Sequence, residues 1–121
     1  GMGADAMDGV VSLQGGKMKI EFDPSHSPIF EQYWEAMKEL ERRSGRPVYV
    51  SRRPSTVHPT GGACMGADAT TAVVDAAGQV HGHPGLYVTD SAALPAPVAA
   101  PPTASIAAWS ENVASRFLAG G

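Results

Sequence analysis

Two short runs rich in apolar residues lie near the N-terminus, separated by a pair of glycines, and the second run alternates apolar and polar residues. Residues 10–13 and 18–22 flank the segment Gln14-Gly15-Gly16-Lys17. Alternation with a period of two places every second side chain on one face of a strand, and Gly-Gly accepts the positive φ angles of a tight reversal. The pattern predicts a β-hairpin. The small and polar residues 1–9 predict a flexible start, in which Gly1 ahead of Met2 is interpreted as a remnant of tag removal.

Apolar residues then recur at steps of three and four over about 28–44, which is typical of an amphipathic helix. Ser27 is placed as the N-cap, and Pro28 can open a helix because its missing N–H needs no partner there. Gly45 and Pro47 end the run. Core packing is the more common use of such an apolar stripe, and a ligand wall is the alternative. The stripe contains Phe30, Tyr33, Trp34, Met37 and Leu40.

Further short strands are predicted after this helix. Residues 48–50 form a strand candidate that Arg52-Arg53-Pro54 ends, and the arginine pair is interpreted as solvated rather than phosphate-binding. Residues 72–81 predict a second hairpin with a turn at 75–78, and 86–88 predict a buried strand.

A proline-rich segment, 94–102, leads into a second helix at about 104–118, for which Thr103 is the N-cap candidate. One face of this helix is apolar, and its alanines would allow it to lie close to a sheet. The apolar face contains Ile106, Trp109, Val113 and Phe117.

These elements predict an α+β fold in which short, mostly antiparallel strands accompany two main helices, at about 28–44 and 104–118. We expect one domain over 10–121, composed of a first part at 10–55 and a second part at 56–121.

Composition and charge limit the function further. The 121 residues are 43% hydrophobic and 17% charged with a net charge of -3, which indicates a globular chain and gives no electrostatic reason to bind nucleic acid. No apolar run approaches the ~20 residues of a membrane span. The single cysteine forms no internal disulfide, and the N-terminus lacks the features of a signal peptide, so a cytoplasmic location is expected.

The segment 56–66 carries the chemistry-bearing residues, since it combines His58 and Cys64 with Gly61 and Gly62. An ordinary glycine-rich loop is one interpretation and a binding site is the other. A metal site is a third and weaker one, because no C-x-x-C or H-x-x-x-H spacing supports it. Nothing in the sequence indicates the activating base that a nucleophilic Cys64 would need. The metal alternative would use His58, Cys64, His81 and His83.

Four blocks, at 58–66, 73–82, 85–90 and 102–106, together resemble the C-terminal region of the glucose–methanol–choline (GMC) family of flavin oxidoreductases. Their order and spacing are shared with the family, and the cholesterol oxidase branch is the most similar. The resemblance covers about 56–117. The first half is compatible with strands and a helix of the family's substrate domain but carries no comparable signature.

The resemblance implies an alcohol or sterol substrate, FAD as the cofactor, and His58 as the base that accepts the hydroxyl proton. A histidine suits this task because its side chain titrates near neutral pH. The resemblance also implies contacts with the flavin edge and the ribityl and pyrophosphate region of FAD. These contacts would come from Gly61, Gly62, Asp90, Ser91, Pro102 and Thr103.

Two departures from the family pattern bear on activity. Pro101 stands where the family has a second polar active-site side chain, and the chain contains no Gly-x-Gly-x-x-Gly. We therefore expect these residues alone to bind FAD weakly or not at all and to be inactive. A non-catalytic remnant, an interaction module and one half of a split enzyme with an N-terminal FAD-domain partner are alternatives. Exposed sheet edges would favour a homo-oligomer.

Overall fold

The computed structural model describes residues 2–51, 53 and 55–120, which divide into two compact units, Gly1–Thr56 and Val57–Gly121. Four residues lie outside the described part of the chain. They are Gly1, which was interpreted as a tag remnant, Arg52 of the arginine pair, and Pro54 and Gly121, which stand at the ends of predicted elements. The single domain predicted over 10–121 stays a prediction.

The first unit contains the predicted hairpin, formed by strands β1 (Val10–Gln14) and β2 (Lys17–Glu21) in antiparallel register. Gly15 and Gly16 form the two-residue loop with φ angles of 56° and 76°. A loop of two positive φ angles matches the right-handed twist of the strands, and glycine adopts both without strain. The predicted hairpin is confirmed.

One face of this hairpin is apolar and exposed. Val11 lies opposite Ile20 and Leu13 lies opposite Met18, so all four side chains are on the same face. They are 64–76% exposed. The sheet has only these two strands among the described residues, so the hairpin offers both an apolar face and open edges.

Helix α1 (Pro28–Ser44) has the predicted bounds, and it ends at Gly45, whose φ of 64° is left-handed and whose N–H donates to Glu41 O. The predicted capping by Ser27 is only partly right. Ser27 occupies the N-cap position, but its side chain makes no capping bond to the helix. Its Oγ accepts instead from the N–H of Ala6 at 2.8 Å.

The predicted strand at 48–50 is wrong. Residues 47–51 adopt no regular structure, and Tyr49 is 89% exposed. A strand needs a neighbour for its backbone hydrogen bonds, and β1 and β2 pair with each other. The apolar run at 48–50 therefore has no ladder to join among the described residues.

The second unit is built around a small core of Val74, Ala93, Trp109 and Val113. Here the predicted second hairpin and buried strand are reduced to isolated bridges, because turns at 75–78 and 82–85 leave too few residues between them for a ladder. Leu86, predicted to be buried, is 55% exposed. The antiparallel bridges join Val74 to Val80 and Gln79 to Tyr87, and a parallel one joins Met65 to Val74.

Helix α2 (Thr103–Leu118) buries Trp109 and Val113 in this core. Gly78 allows the close packing, since a Cβ there would lie 2.5 Å from Val113 Cγ2. The far end of the apolar face does not reach the core, and Phe117 is 60% exposed. Two helices with one antiparallel hairpin and single bridges confirm the predicted α+β class. Neither described helix is both long and apolar enough to cross a membrane.

Candidate active site

The glycine-rich loop is fastened to a 3₁₀ turn, Ser91–Ala93, by backbone hydrogen bonds. Three alternate residues of the loop each donate an N–H to one of three successive carbonyls of the turn. The bonds run from Gly61 N to Ser91 O (3.2 Å), from Ala63 N to Ala92 O (3.0 Å) and from Met65 N to Ala93 O (2.9 Å). The loop and the turn thus form one bonded unit, which we call the loop–turn unit (residues 58–66 and 90–93).

Asp90 shapes the turn from its N-terminal side. Its Oδ1 accepts from the N–H of Ala92 at 2.9 Å, as an N-cap does. The Asp90 residue is exposed and Ser91 is half-buried. Both predicted cofactor contacts therefore lie in the loop–turn unit beside Gly61, and one oxygen of Asp90 is already used to hold the turn.

His58 lies three residues before the first of these backbone bonds and is half-buried. Partial exposure leaves an imidazole accessible to a small molecule, while the bond from Gly61 to Ser91 fixes the chain that follows it. A proton acceptor needs both access and a fixed position. The half-buried side chain of His58 provides the access, and its place three residues before the bonded Gly61 limits its movement.

Gly61 and Gly62 both have positive φ angles, 83° and 96°. A Cβ at Gly62 would meet no atom within 4 Å, so the backbone there borders open space. A flat ligand could approach this backbone closely because no side chain stands in the way.

Helix α2 is tied to the strand-like segment that leads into Asp90. The Trp109 indole N–H donates to Val88 O at 3.1 Å, and the Ser110 hydroxyl donates to Thr89 O. Thr103 lies six residues before Trp109, about 9 Å along the helix axis. The start of α2 therefore has a fixed position relative to the loop–turn unit.

The N-terminus of α2 differs from its prediction by one residue. Pro102 is the N-cap and Thr103 is the first helical residue, because Pro102 O accepts the first helical bond, from Ile106 N at 2.9 Å. Pro102 is fully buried, whereas Pro101 and Thr103 are exposed. Neither proline offers a side-chain hydrogen bond, so the polar side chain expected at Pro101 has no substitute at Pro102.

Three exposed residues, 103–105, open α2, and their N–H groups have no acceptor within the helix. Such a group of donors at a positive dipole end favours an anion. Reduced flavin is one such anion, since the ring gains negative charge on reduction, and the open backbone at Gly62 leaves space for a flat ligand.

The metal alternative has no support in the part of the chain that the structure describes. No three His, Cys, Asp or Glu side chains there are close enough together to hold a metal ion. His81 has another use, because its Nε2 donates to Gly66 O at 3.0 Å. Cys64 is half-buried, with its Sγ 3.8 Å from Leu94 O.

Some contributors to this region were not identified from the sequence. The carbonyls of the Ser91–Ala93 turn hold the loop, and backbone acceptors leave no signal in side-chain identity. Ser110 could have been noticed, because it is a polar residue directly after Trp109, which belongs to the predicted apolar face.

Comparison with known proteins identifies the family to which the chain belongs. The family model described as GMC oxidoreductase, for the C-terminal region, matches residues 21–110. The chain therefore belongs to the GMC oxidoreductase family, whose members depend on FAD. The match begins at Glu21, the last residue of β2, and includes all of α1, so the first half carries more family signal than its motifs indicated.

Individual relatives support the same assignment. A cholesterol oxidase of Mycobacterium tuberculosis is 45% identical over 62 residues, which are 51% of this chain and 11% of that protein. The dehydrogenase str4 of Strobilurus tenacellus is 43% identical over 60 residues, 50% of this chain and 10% of that protein. An uncharacterized GMC-type oxidoreductase of M. tuberculosis is 34% identical over 93 residues, which are 77% of this chain and 14% of that protein. The matches thus span only 10–14% of these relatives. No solved structure matches the chain significantly.

Proposed function

We propose that this chain forms the substrate-side wall of the FAD site in a GMC oxidoreductase that acts on the CH–OH group of an alcohol or sterol. The observation that carries the proposal is the hydrogen-bonded loop–turn unit, which joins the loop of His58 to Asp90 and Ser91. The similarity to a cholesterol oxidase supports a sterol or another alcohol as the substrate class.

Each residue has a defined task in this proposal. FAD, when bound, supplies the acceptor for the hydride that leaves the alcohol carbon. His58 accepts the proton of the substrate hydroxyl. Gly61 and Gly62 let the ring approach the backbone, and the N–H groups at the start of α2, from Thr103 onward, stabilise negative charge beside them. Asp90 and Ser91 contact the ribityl and pyrophosphate region, and Pro102 contacts the ring edge.

The phosphates of FAD require a cradle that these residues do not provide. The 121 residues contain no Gly-x-Gly-x-x-Gly. The cradle would come from residues outside them, on the same polypeptide or on a second one. We expect the chain, mixed with FAD and passed through gel filtration, to elute without a stoichiometric flavin absorbance band. A stoichiometric band would contradict this division of the site.

A chimera tests the function directly. In it, residues 56–117 of this chain, over which its motifs resemble the family, replace the corresponding segment of the M. tuberculosis cholesterol oxidase. We expect the chimera to retain bound flavin and to oxidise cholesterol more slowly than the relative does, because Pro101 lacks a polar side chain. Pro101→Asn is expected to raise the turnover number in the same chimera.

The outcomes of this experiment separate the proposals. A chimera that binds flavin but stays inactive with Pro101→Asn would favour a non-catalytic remnant over a working wall. A chimera that folds and binds no flavin would contradict the proposed cofactor contacts. The predicted homo-oligomer is a separate proposal, motivated by the exposed hairpin face and open to a light-scattering measurement.

A further inference from the structure

The N-terminal residues 3–8 lie against the start of α1, and we call them the N-terminal strap. At one end of the strap, Gly3 packs on α1 so closely that a Cβ would lie 2.5 Å from Ile29 Cγ1 and 2.5 Å from Tyr33 Oη. Nothing larger than glycine fits at this position without movement. The strap therefore covers these two side chains.

The other half of the strap is held by polar contacts. The N–H of Ala6 donates to Ser27 Oγ at 2.8 Å, and Ser27 is only 3% exposed. Asp8 Oδ2 lies 2.5 Å from His26 Nδ1. His26 belongs to the 3₁₀ turn Pro24–His26, directly before α1, so the strap is fastened to the residues that begin the helix.

The surroundings of His26 are strongly acidic. Its Nε2 lies 3.7 Å from Asp23 Oδ2, and a cleft of about 260 Å³ beside it is lined by Asp8, Asp23 and Glu21 as well as Phe22. These charges come from the strap, from the cap of the 3₁₀ turn and from β2. Within residues 2–51, 53 and 55–120, the cation paired with one of these carboxylates is Lys19, which pairs with Glu21.

This arrangement favours a charged imidazole. Nδ1 is within hydrogen-bonding distance of Asp8 and Nε2 is within ion-pair distance of Asp23, so the protonated ring is attracted by a carboxylate on each side. The hydrogen bond with Asp8, followed by the charges of Asp23 and Asp8, raises the pKa of His26 above its ordinary 6.5. The stabilisation from the charged pair with Asp8 is therefore fully present below pH 6.5 and is lost as the pH rises through the raised pKa. Above it, the three carboxylates surround a neutral ring and repel one another.

We propose that the N-terminal strap is a pH-dependent latch, which lies on α1 while His26 is protonated and opens more often once His26 is neutral, uncovering Ile29 and Tyr33. The latch opens as the pH rises through the raised pKa of His26. It does not depend on the proposed oxidoreductase function, because every group in it belongs to the first unit.

Amide hydrogen exchange at Ala6, measured by NMR between about pH 5 and pH 8 and corrected for the intrinsic pH dependence of exchange, tests the latch. Protection of the Ala6 amide is expected to fall by about 1.5- to 5-fold across this range, which is the range for exposed ion pairs. Asp8→Asn should remove the pH dependence. His83→Asn, at an exposed histidine of the other unit, should leave it unchanged.

Two results would overturn the latch. One is protection of the Ala6 amide that does not change with pH, or that changes equally in Asp8→Asn. The other comes from the ring signals of His26: a midpoint at or below 6.5 in the original chain, or one that Asp8→Asn does not lower, removes the charged contact on which the latch depends. Both substituted residues are exposed, so neither variant threatens the fold.

Discussion

Gly78→Ala is expected to lower the free energy of unfolding by about 2–4 kcal/mol, the largest stability effect that we predict for a single added methyl group. Two causes add at this position. The φ of 81° is left-handed, which strains any residue with a Cβ, and the new Cβ would lie 2.5 Å from Val113 Cγ2 and 3.0 Å from Val113 Cγ1. Equilibrium urea denaturation followed by circular dichroism measures the loss.

Gly82→Ala is the matched control for this substitution. Its φ of 75° is nearly the same, but a Cβ there would meet nothing within 4 Å. We expect it to cost about 1 kcal/mol, from backbone strain alone. Equal losses of unfolding free energy in the two variants would mean that the contact with Val113 contributes nothing. The packing of α2 would then tolerate a side chain at Gly78.

The second large effect concerns activity. In the chimera described above, His58→Asn is expected to reduce the turnover number with cholesterol by about 10²–10⁴-fold, the usual loss when a general base is removed. The flavin absorbance should be unchanged, because the bonds that hold the loop to the turn are made by the backbone. Steady-state kinetics and the visible spectrum of the same preparation provide both measurements.

His83→Asn in that chimera controls for the loss of a histidine from the same unit. His83 is exposed, and we propose no role for it in the reaction. We expect turnover within about twofold of the unsubstituted chimera, as for surface substitutions away from special features. If the chimera keeps its turnover number after His58→Asn, His58 is not the proton acceptor, even if the proposed cofactor contacts are correct.

Features that depend on neighbouring residues could be predicted from the sequence. The Gly15-Gly16 reversal needs only two positive φ angles, and α1 needs only its periodicity, the Pro28 start and the Gly45 stop, so both were predicted correctly. The candidate site that the motifs indicated stays a prediction. The start of α2 was predicted one residue late because Pro102 takes the N-cap position.

Features that depend on distant partners could not be predicted in this way. The run at 48–50 has strand composition, yet a strand forms only where another chain segment lies beside it. Gly78 was interpreted as a turn residue, and its contact with Val113, 35 positions later, depends on how helix α2 packs. The alanines of α2 were expected to provide the close approach, but Ala107 and Ala108 are exposed.

The alternate hydrogen bonding between the loop and the turn sets a rule for transplanting this region into another protein. Residues 61–65 take their shape from the carbonyls of 91–93, and α2 takes its position from the backbone at 88–89. A graft that moved the histidine loop alone would leave three of its amide donors facing a foreign backbone. The smallest segment that can be transplanted is therefore the continuous stretch from the histidine loop through helix α2.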